Sequence, residues 1–421
     1  MDEGATGSSR NATVSLFGPA RNTVLLLLGV AALAAPLMFA FAGEIPRLGF
    51  ALRFAAMLLA AAIIALSRFR DPGLVLAAAL GPLPGVSLVF CGAFGTSFSS
   101  PATAIGALVY AQGLSVALVA GDGFAARVAD GDEPKAAVMF TLQGGVRFLA
   151  PVFVMALGFP ALLAVVEPQR LTPPLLLAAG NTLAMLSAWL VVPLAGSFLS
   201  GSEDFIARTN RLREDWSRRF EHLAAVVHAP WAMSATGILV VLLVLGVFGS
   251  AKLNASHAVG VDMGAAVVIL AAAFLAGRDW RRGFAVAAAM AGALIYALWG
   301  YARAGVIFDA RLMLLTAGLC AICFAPIAAV AVGAVLSGRS DAVGASEAGI
   351  QGIGPAAATG IVGTLIVLAP WYREFGAACA GFVLAILFAA AGALVFHPAV
   401  TSALEDIVPR RQTLAQRYRV K

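Results

Sequence analysis

The sequence predicts an all-α polytopic membrane protein of about twelve transmembrane helices, arranged as two pseudo-symmetric six-helix halves. Three observations carry that prediction: an apolar composition, apolar stretches of span length along the chain, and a likeness between its two halves. Of the 421 residues, 61% are hydrophobic and 12% charged, and the mean hydropathy is +0.92. That charged fraction is about half the ~25% usual for soluble domains, so water cannot be the solvent of most of this surface.

Twelve spans can be drawn, at 24–42, 51–67, 73–93, 103–121, 147–165, 174–195, 232–250, 259–276, 283–300, 312–336, 350–369 and 374–397. Each is long enough to cross ~30 Å of hydrocarbon as a helix. The first 22 residues are polar, carry acids and lack the short apolar region and small-residue cleavage site of a signal peptide, so they read as a cytosolic lead-in. With both termini cytosolic, Arg68, Arg70, Arg127, Lys135, Arg147, the 208–219 cluster, Arg278, Arg281, Arg282, Arg339 and the tail share one side. Only Arg47, Arg53, Arg170, Lys252, Arg303, Arg311 and Arg373, seven of the 28 Lys and Arg, fall on the other. That bias is what the positive-inside rule requires. The formal charge of +6 therefore belongs to topology, and no basic, aromatic-interleaved domain supports a nucleic-acid partner.

The organisation follows: a cytosolic segment 1–22, a first six-helix repeat 23–200, a connector 201–230, a second repeat 231–400 and a basic tail 401–421. The connector EDFIARTNRLREDWSRRFEHLAAVV (203–227) places Phe205, Leu212, Trp216, Phe220 and Leu223 on one helical face, with arginines that include Arg218 and Arg219 on the other. Such a helix lies along the cytosolic membrane surface, either as a plain linker or as a docking site for a partner or anionic lipid. The repeat is visible in VVPLAGSFLSGSED (191–204) and VFHPAVTSALED (395–406), which end the two halves. Gly113-Leu114 and Pro193 recur as Gly318-Leu319 and Pro398 at an offset of 205, and Pro19 and Pro230 precede the opening spans. Six spans, a connector and six more in the same orientation make a parallel repeat.

Each half also carries a basic elbow between its second and third spans, LSRFRDPG (66–73) and LAGRDWRRG (275–283). With the acidic-small stretch Glu347 to Gly354, Phe375-Gly376 and Pro398, these features resemble the membrane domain of the RND superfamily, in particular its MMPL and hopanoid-transporter branch. The likeness covers nearly all of the chain past residue 18. It implies a bacterial inner-membrane protein that moves a lipid or hydrophobic molecule. Two departures qualify it. The large extracytoplasmic domains that the family carries after spans one and seven are replaced by AGEIPRLG (42–49) and a stretch near SAKLNASHAVG (250–260). A substrate path must then lie within the membrane or be completed by a periplasmic or membrane partner. The family's proton-relay acid on span four falls at Ala117 when its motif is laid on Gly113-Leu114-Ser115-Val116, and Gly318-Leu319-Cys320-Ala321-Ile322 on span ten has no acid either.

Asp122, between Gly121 and Gly123, is five residues past Ala117, which on an α-helix is ~7.5 Å along and ~140° around. It reads either as a solvated helix-end acid paired with Arg127 or Arg147, where the glycines let the helix fray, or as a displaced coupling acid. The other candidates for a proton or substrate path are Gln112, Ser115, Gln143, Thr316, Cys320 and Gln351; interhelical hydrogen bonding is the plainer reading of the polar residues other than Cys320, and of Asn181. Cys91, Cys320, Cys323 and Cys379 fall in apolar runs and read as packing residues rather than a redox or metal site. His397 reads as a surface histidine at a helix end, Tyr296, Trp299 and Tyr301 as an interfacial belt, and Asp309 with Arg311 as an exposed pair. No phosphate loop, nucleophile with its base or zinc-ligand set marks an enzyme, and no cofactor is implied.

Three functional readings stay open. The first is an RND/MMPL-like protein of transport or export with the family's relay acids missing. The second is a non-transporting scaffold or accessory subunit on a degenerate RND fold. The third, a major-facilitator-type transporter, has SRFRDPG where that family carries a longer GxxxDRxGRR-like run.

Overall fold

A computed structural model describes residues 47–69, 71–93, 99–166, 171–199, 203–227, 259–305, 309–337, 349, 352–358 and 378–407. Among these the fold is helical throughout, with no strand. The helices are α1 (Arg47–Phe69), α2 (Pro72–Leu80), α3 (Leu83–Ala93), α4 (Ser99–Ala129), α5 (Pro134–Gly144), α6 (Val146–Val166) and α7 (Thr172–Leu199). They continue with α8 (Glu203–Val227), α9 (Val259–Gly277), α10 (Trp280–Ala304), α11 (Ala310–Ser337), α12 (Ala378–Ala391) and α13 (His397–Ile407).

Seven stretches are long and apolar enough to cross a membrane: Pro72–Ala93, Ala104–Ala129, Val146–Val166, Thr172–Phe198, Trp280–Ala304, Ala310–Leu336 and Ala380–Leu404. Phe54–Phe69 and Met263–Gly277 are shorter apolar helices. The chain is therefore an all-α, multi-pass membrane protein by the length and composition of its helices. The spans expected at 24–42 and 232–250 lie outside the described residues, as does most of the one at 350–369.

Local chemistry sets the breaks. Asp71 caps α2 by accepting from the Leu74 N–H at 3.0 Å, and Pro72 occupies the first helical position, where its missing N–H costs nothing. Gly81 and Pro82 then divide α2 from α3 inside one span. Asp309 caps α11 in the same way, its carboxylate accepting from the Leu312 N–H at 2.9 Å. It forms no ion pair with Arg311 among the described residues, which corrects the expected exposed pair. The last span runs from α12 through a π-helical turn, Gly392–Phe396, into α13. Pro151 and Pro160 stand inside α6, Pro193 inside α7 and Pro326 inside α11, each removing one backbone donor from its helix.

Small residues bring backbones together. A side chain at Gly85 would strike the Gly180 carbonyl and the Ala184 backbone, so α3 and α7 pack nearly in backbone contact. Gly300 of α10 and Gly381 of α12 meet in the same manner. α4 and α11 are the most enclosed spans and touch each other, with α7 along α4 and α6 and α10 against α11. Gln112, Ser115 and Thr316 of the two enclosed helices thus face protein.

Candidate functional site

The principal polar feature inside the apolar bundle lies where α1 ends. α4 does not stop at Asp122: it continues as regular helix to Ala129, so the glycines on either side do not fray it. Gly121 has another role. A Cβ there would meet the Phe69 ring, so the missing side chain lets α1 close against α4. That approach brings Arg68, in the last turn of α1, to Asp122. The Arg68 Nε and Nη2 donate to the two carboxylate oxygens at 3.2 Å and 2.6 Å, a two-pronged pair. The side chains are 6% and 19% exposed, so the pair is largely withdrawn from solvent. The expected partners of Asp122 were Arg127 and Arg147. Instead, Arg127 pairs with Asp132 at 3.7 Å and lies over the Phe140 ring, and Arg147 is exposed.

The connector completes this cluster. α8 buries Phe205, Thr209 and Leu212, and its half-buried Trp216 spreads its ring beneath two guanidiniums, Arg68 at 5.7 Å and Arg219 at 5.2 Å from the ring centre. Arg213 adds an exposed bridge to Asp130 at 3.0 Å, and Arg218 turns back to Asp215 at 3.4 Å. The apolar face expected of this helix is therefore its docked face, against the end of α4. The side chain of Phe220 lies outside the described residues. The sequence places Arg68 in the first elbow, but Arg70, two residues on and also before Asp71, fits the same description.

The other candidates do not gather around Asp122. Ala117 is wholly buried, and Ser115 donates to the Ala111 carbonyl of its own helix at 2.9 Å. Gln112 is fully enclosed between α4 and α7; its amide nitrogen meets only the Met185 sulfur at 3.6 Å, and its oxygen has no partner. Asn181, one turn before Met185 on α7, is 1% exposed and its amide nitrogen is likewise unpartnered. Gln112 thus makes the interhelical hydrogen bond expected of it through its nitrogen alone, to a weak sulfur acceptor, whereas the Asn181 nitrogen makes none. Thr316 does link helices: it stands 3.2 Å from the Tyr301 hydroxyl of α10 while donating to the Leu312 carbonyl at 2.7 Å. Tyr301 is consequently an interior residue, not part of an interfacial belt; Tyr296 stacks on Phe388 and meets Trp299 edge-on. Cys320 and Cys323 are buried free thiols. Gln143 is exposed, and Gln351 lies outside the described residues.

His397 also departs from expectation, being 1% exposed with neither ring nitrogen hydrogen-bonded. The π-helical turn before it shifts the register of the last span, which sequence periodicity does not report. No model of a known protein family matches the chain, and no curated protein matches it.

Proposed function

We propose that this chain is an RND/MMPL-like transport protein of the bacterial inner membrane, with twelve helices in two halves and both termini cytosolic, acting on a lipid or hydrophobic molecule. The observation that carries the reading is the Arg68–Asp122 pair. A carboxylate and a guanidinium withdrawn from water at the end of an apolar span are costly, and proteins keep such groups in membrane helices chiefly where they move charge, bind or switch. This pair joins α1, α4 and, through Trp216, the connector. Opening it exposes a path at the end of α4, and closing it seals that end under the Trp216 ring. The coupling position proper carries Ala117, so proton coupling, if it operates, runs through Asp122 and not through the centre of the bundle.

A second reading is favoured by a specific observation as well: α11 carries no acid along its whole length, and the buried centre of α4 is Ala117. A membrane scaffold or accessory subunit that retains the fold accounts for both. Reconstitution decides between them. The purified protein is placed in vesicles, a pH gradient is imposed, and proton flux and lipid movement are followed for the wild type and for Asp122→Asn. Flux that vanishes in the variant supports transport. No flux in either protein removes the autonomous pump and leaves the scaffold. Labelling of single cysteines introduced at residues 10 and 415 from either side of the membrane checks the orientation.

A further inference from the structure

The second elbow is built differently from the first. α9 ends at Gly277 and α10 begins at Trp280, with Arg278 in the left-handed region at φ 53° to make so short a turn. The first turn of α10 then buries two consecutive arginines, Arg281 at 5% and Arg282 at 6% exposure. Arg281 lies over the Trp280 ring at 5.5 Å, its Nε has no hydrogen-bond partner, and no carboxylate pairs with it among the described residues. Arg282 keeps other interactions, so the case rests on Arg281 and on the histidine beside this turn. α10 packs against α13, whose first residue is His397, and the turn just before His397 lies against α10, where a Cβ at Gly392 would meet Ala289. Both nitrogens of that ring are buried and unpartnered.

In the first half the elbow arginine is neutralised from within, by Asp122. Moving Asp122 by the offset of 205 that relates Gly113-Leu114 to Gly318-Leu319 reaches Ile327, which is wholly buried and apolar. The same offset takes Arg68 to Ala273, so neither member of the first-half pair recurs in the second half, where the elbow arginines stand further along the chain. This comparison leans on the proposed repeat; the burial of Arg281 and His397 does not. A guanidinium 5% exposed with no carboxylate paired to it among the described residues is costly, and two further features favour an anion there. They are the N-terminal N–H groups of α10 and the positive end of that helix dipole.

We infer that the N-terminal turn of α10, beside the start of α13, binds a phosphate-type oxyanion. Arg281 and the α10 backbone N–H groups supply charge and donors, and a His397 N–H supplies a further donor. Asp279 opposes a bound anion from the same turn, so it limits the affinity instead of adding to it. The shared chemistry is a phosphate group, whether on an anionic lipid at the membrane surface or free in solution.

The experiment uses full-length protein in detergent with three probes: dioleoyl phosphatidylglycerol, dioleoylglycerol as the same lipid without phosphate, and inorganic phosphate. Bound lipid is counted by native mass spectrometry, and the thermal midpoint is followed with each probe. The expected result is retention of phosphatidylglycerol over dioleoylglycerol, with binding weakened about tenfold in Arg281→Gln and in His397→Gln, as loss of a charge-assisted contact predicts. Arg281→Lys, which keeps the charge, retains binding and serves where Arg281→Gln does not fold. Phosphate that raises the midpoint and displaces the lipid assigns the site to a soluble phosphate; lipid binding unaffected by phosphate assigns it to a headgroup. Equal binding of all probes by wild type and both glutamine variants, or no binding by the wild type, overturns the inference. Binding is read without transport, so this result stands apart from that of the reconstitution.

Discussion

Arg68 grips Asp122 by two of its nitrogens, at 3.2 Å and 2.6 Å, and in doing so ties the end of α1 to the interior of α4. With the two side chains 6% and 19% exposed, neither group can be removed alone without stranding the other. Breaking a buried pair on one side costs about 3–5 kcal/mol, whereas replacing both members with neutral groups of similar shape costs much less. Arg68→Gln alone should therefore lower thermal stability in detergent sharply, and adding Asp122→Asn should restore most of the loss. A double variant as unstable as the single one would show that Arg68 acts through packing rather than charge.

The docking of α8 makes a second prediction. Its Arg213–Asp130 bridge is 49% and 60% exposed, and pairs of that kind contribute between nothing and ~1 kcal/mol. Trp216 is half-buried and offers its face to Arg68 and Arg219. Hydrogen exchange over 205–219 should rise markedly in Trp216→Ala and hardly at all in Arg213→Ala. The reverse order would make α8 an electrostatic attachment.

How far the sequence disclosed these features depends on the range of the interactions. The apolar spans within the described residues and the apolar face of α8 follow from composition and from 3.6-residue periodicity, which are local properties, whereas the break at Gly81–Pro82 and the docking of that face on α4 do not. The choice of Arg68 over Arg127 for Asp122 is not local, because it needs the close approach of Phe69 to Gly121, 52 positions away. Tyr301 illustrates the same limit: at the end of an apolar helix an aromatic residue reads as interfacial, and only the packing of α10 on α11 turns its hydroxyl toward Thr316. His397 was misread because a π-helical turn resets the face it presents.

Close helix approach gives a third prediction. At Gly85 a new Cβ would strike backbone atoms of Gly180 and Ala184, which cannot rotate away. Gly85→Val should drive α3 from α7 and abolish recovery of folded protein. Gly144, with nothing within 4 Å of its would-be Cβ, is the matched control, and Gly144→Ala should leave the thermal midpoint unchanged or slightly raised. Equal tolerance at both positions would mean that α3 and α7 are not in backbone contact.

The Tyr301 hydroxyl and Thr316 provide a fourth test, since Tyr301→Phe deletes that contact and keeps the ring. Hydrogen bonds between membrane helices contribute about 0.6 kcal/mol on average and rarely much above 1. A loss of that size is expected in chemical unfolding, and Thr316→Val should add nothing further to it in the Tyr301→Phe background. Additive losses would indicate that Thr316 contributes chiefly through its bond to the Leu312 carbonyl at 2.7 Å.

Two amide atoms of the bundle left without partners separate stability from function. The Gln112 oxygen and the Asn181 nitrogen are an acceptor and a donor on touching helices, each buried without a partner, and a group left in that state costs about 1–3 kcal/mol. Residues kept only for the fold would not carry that cost. Replacement by apolar groups of similar volume, Gln112→Met and Asn181→Leu, should hold or raise the thermal midpoint in detergent. If the amides line the route of a substrate with a polar group, lipid movement in vesicles should fall in the same variants. A gain in stability together with unchanged movement would take both residues off the route, and a loss of stability would mean that a water already bridges the two amides.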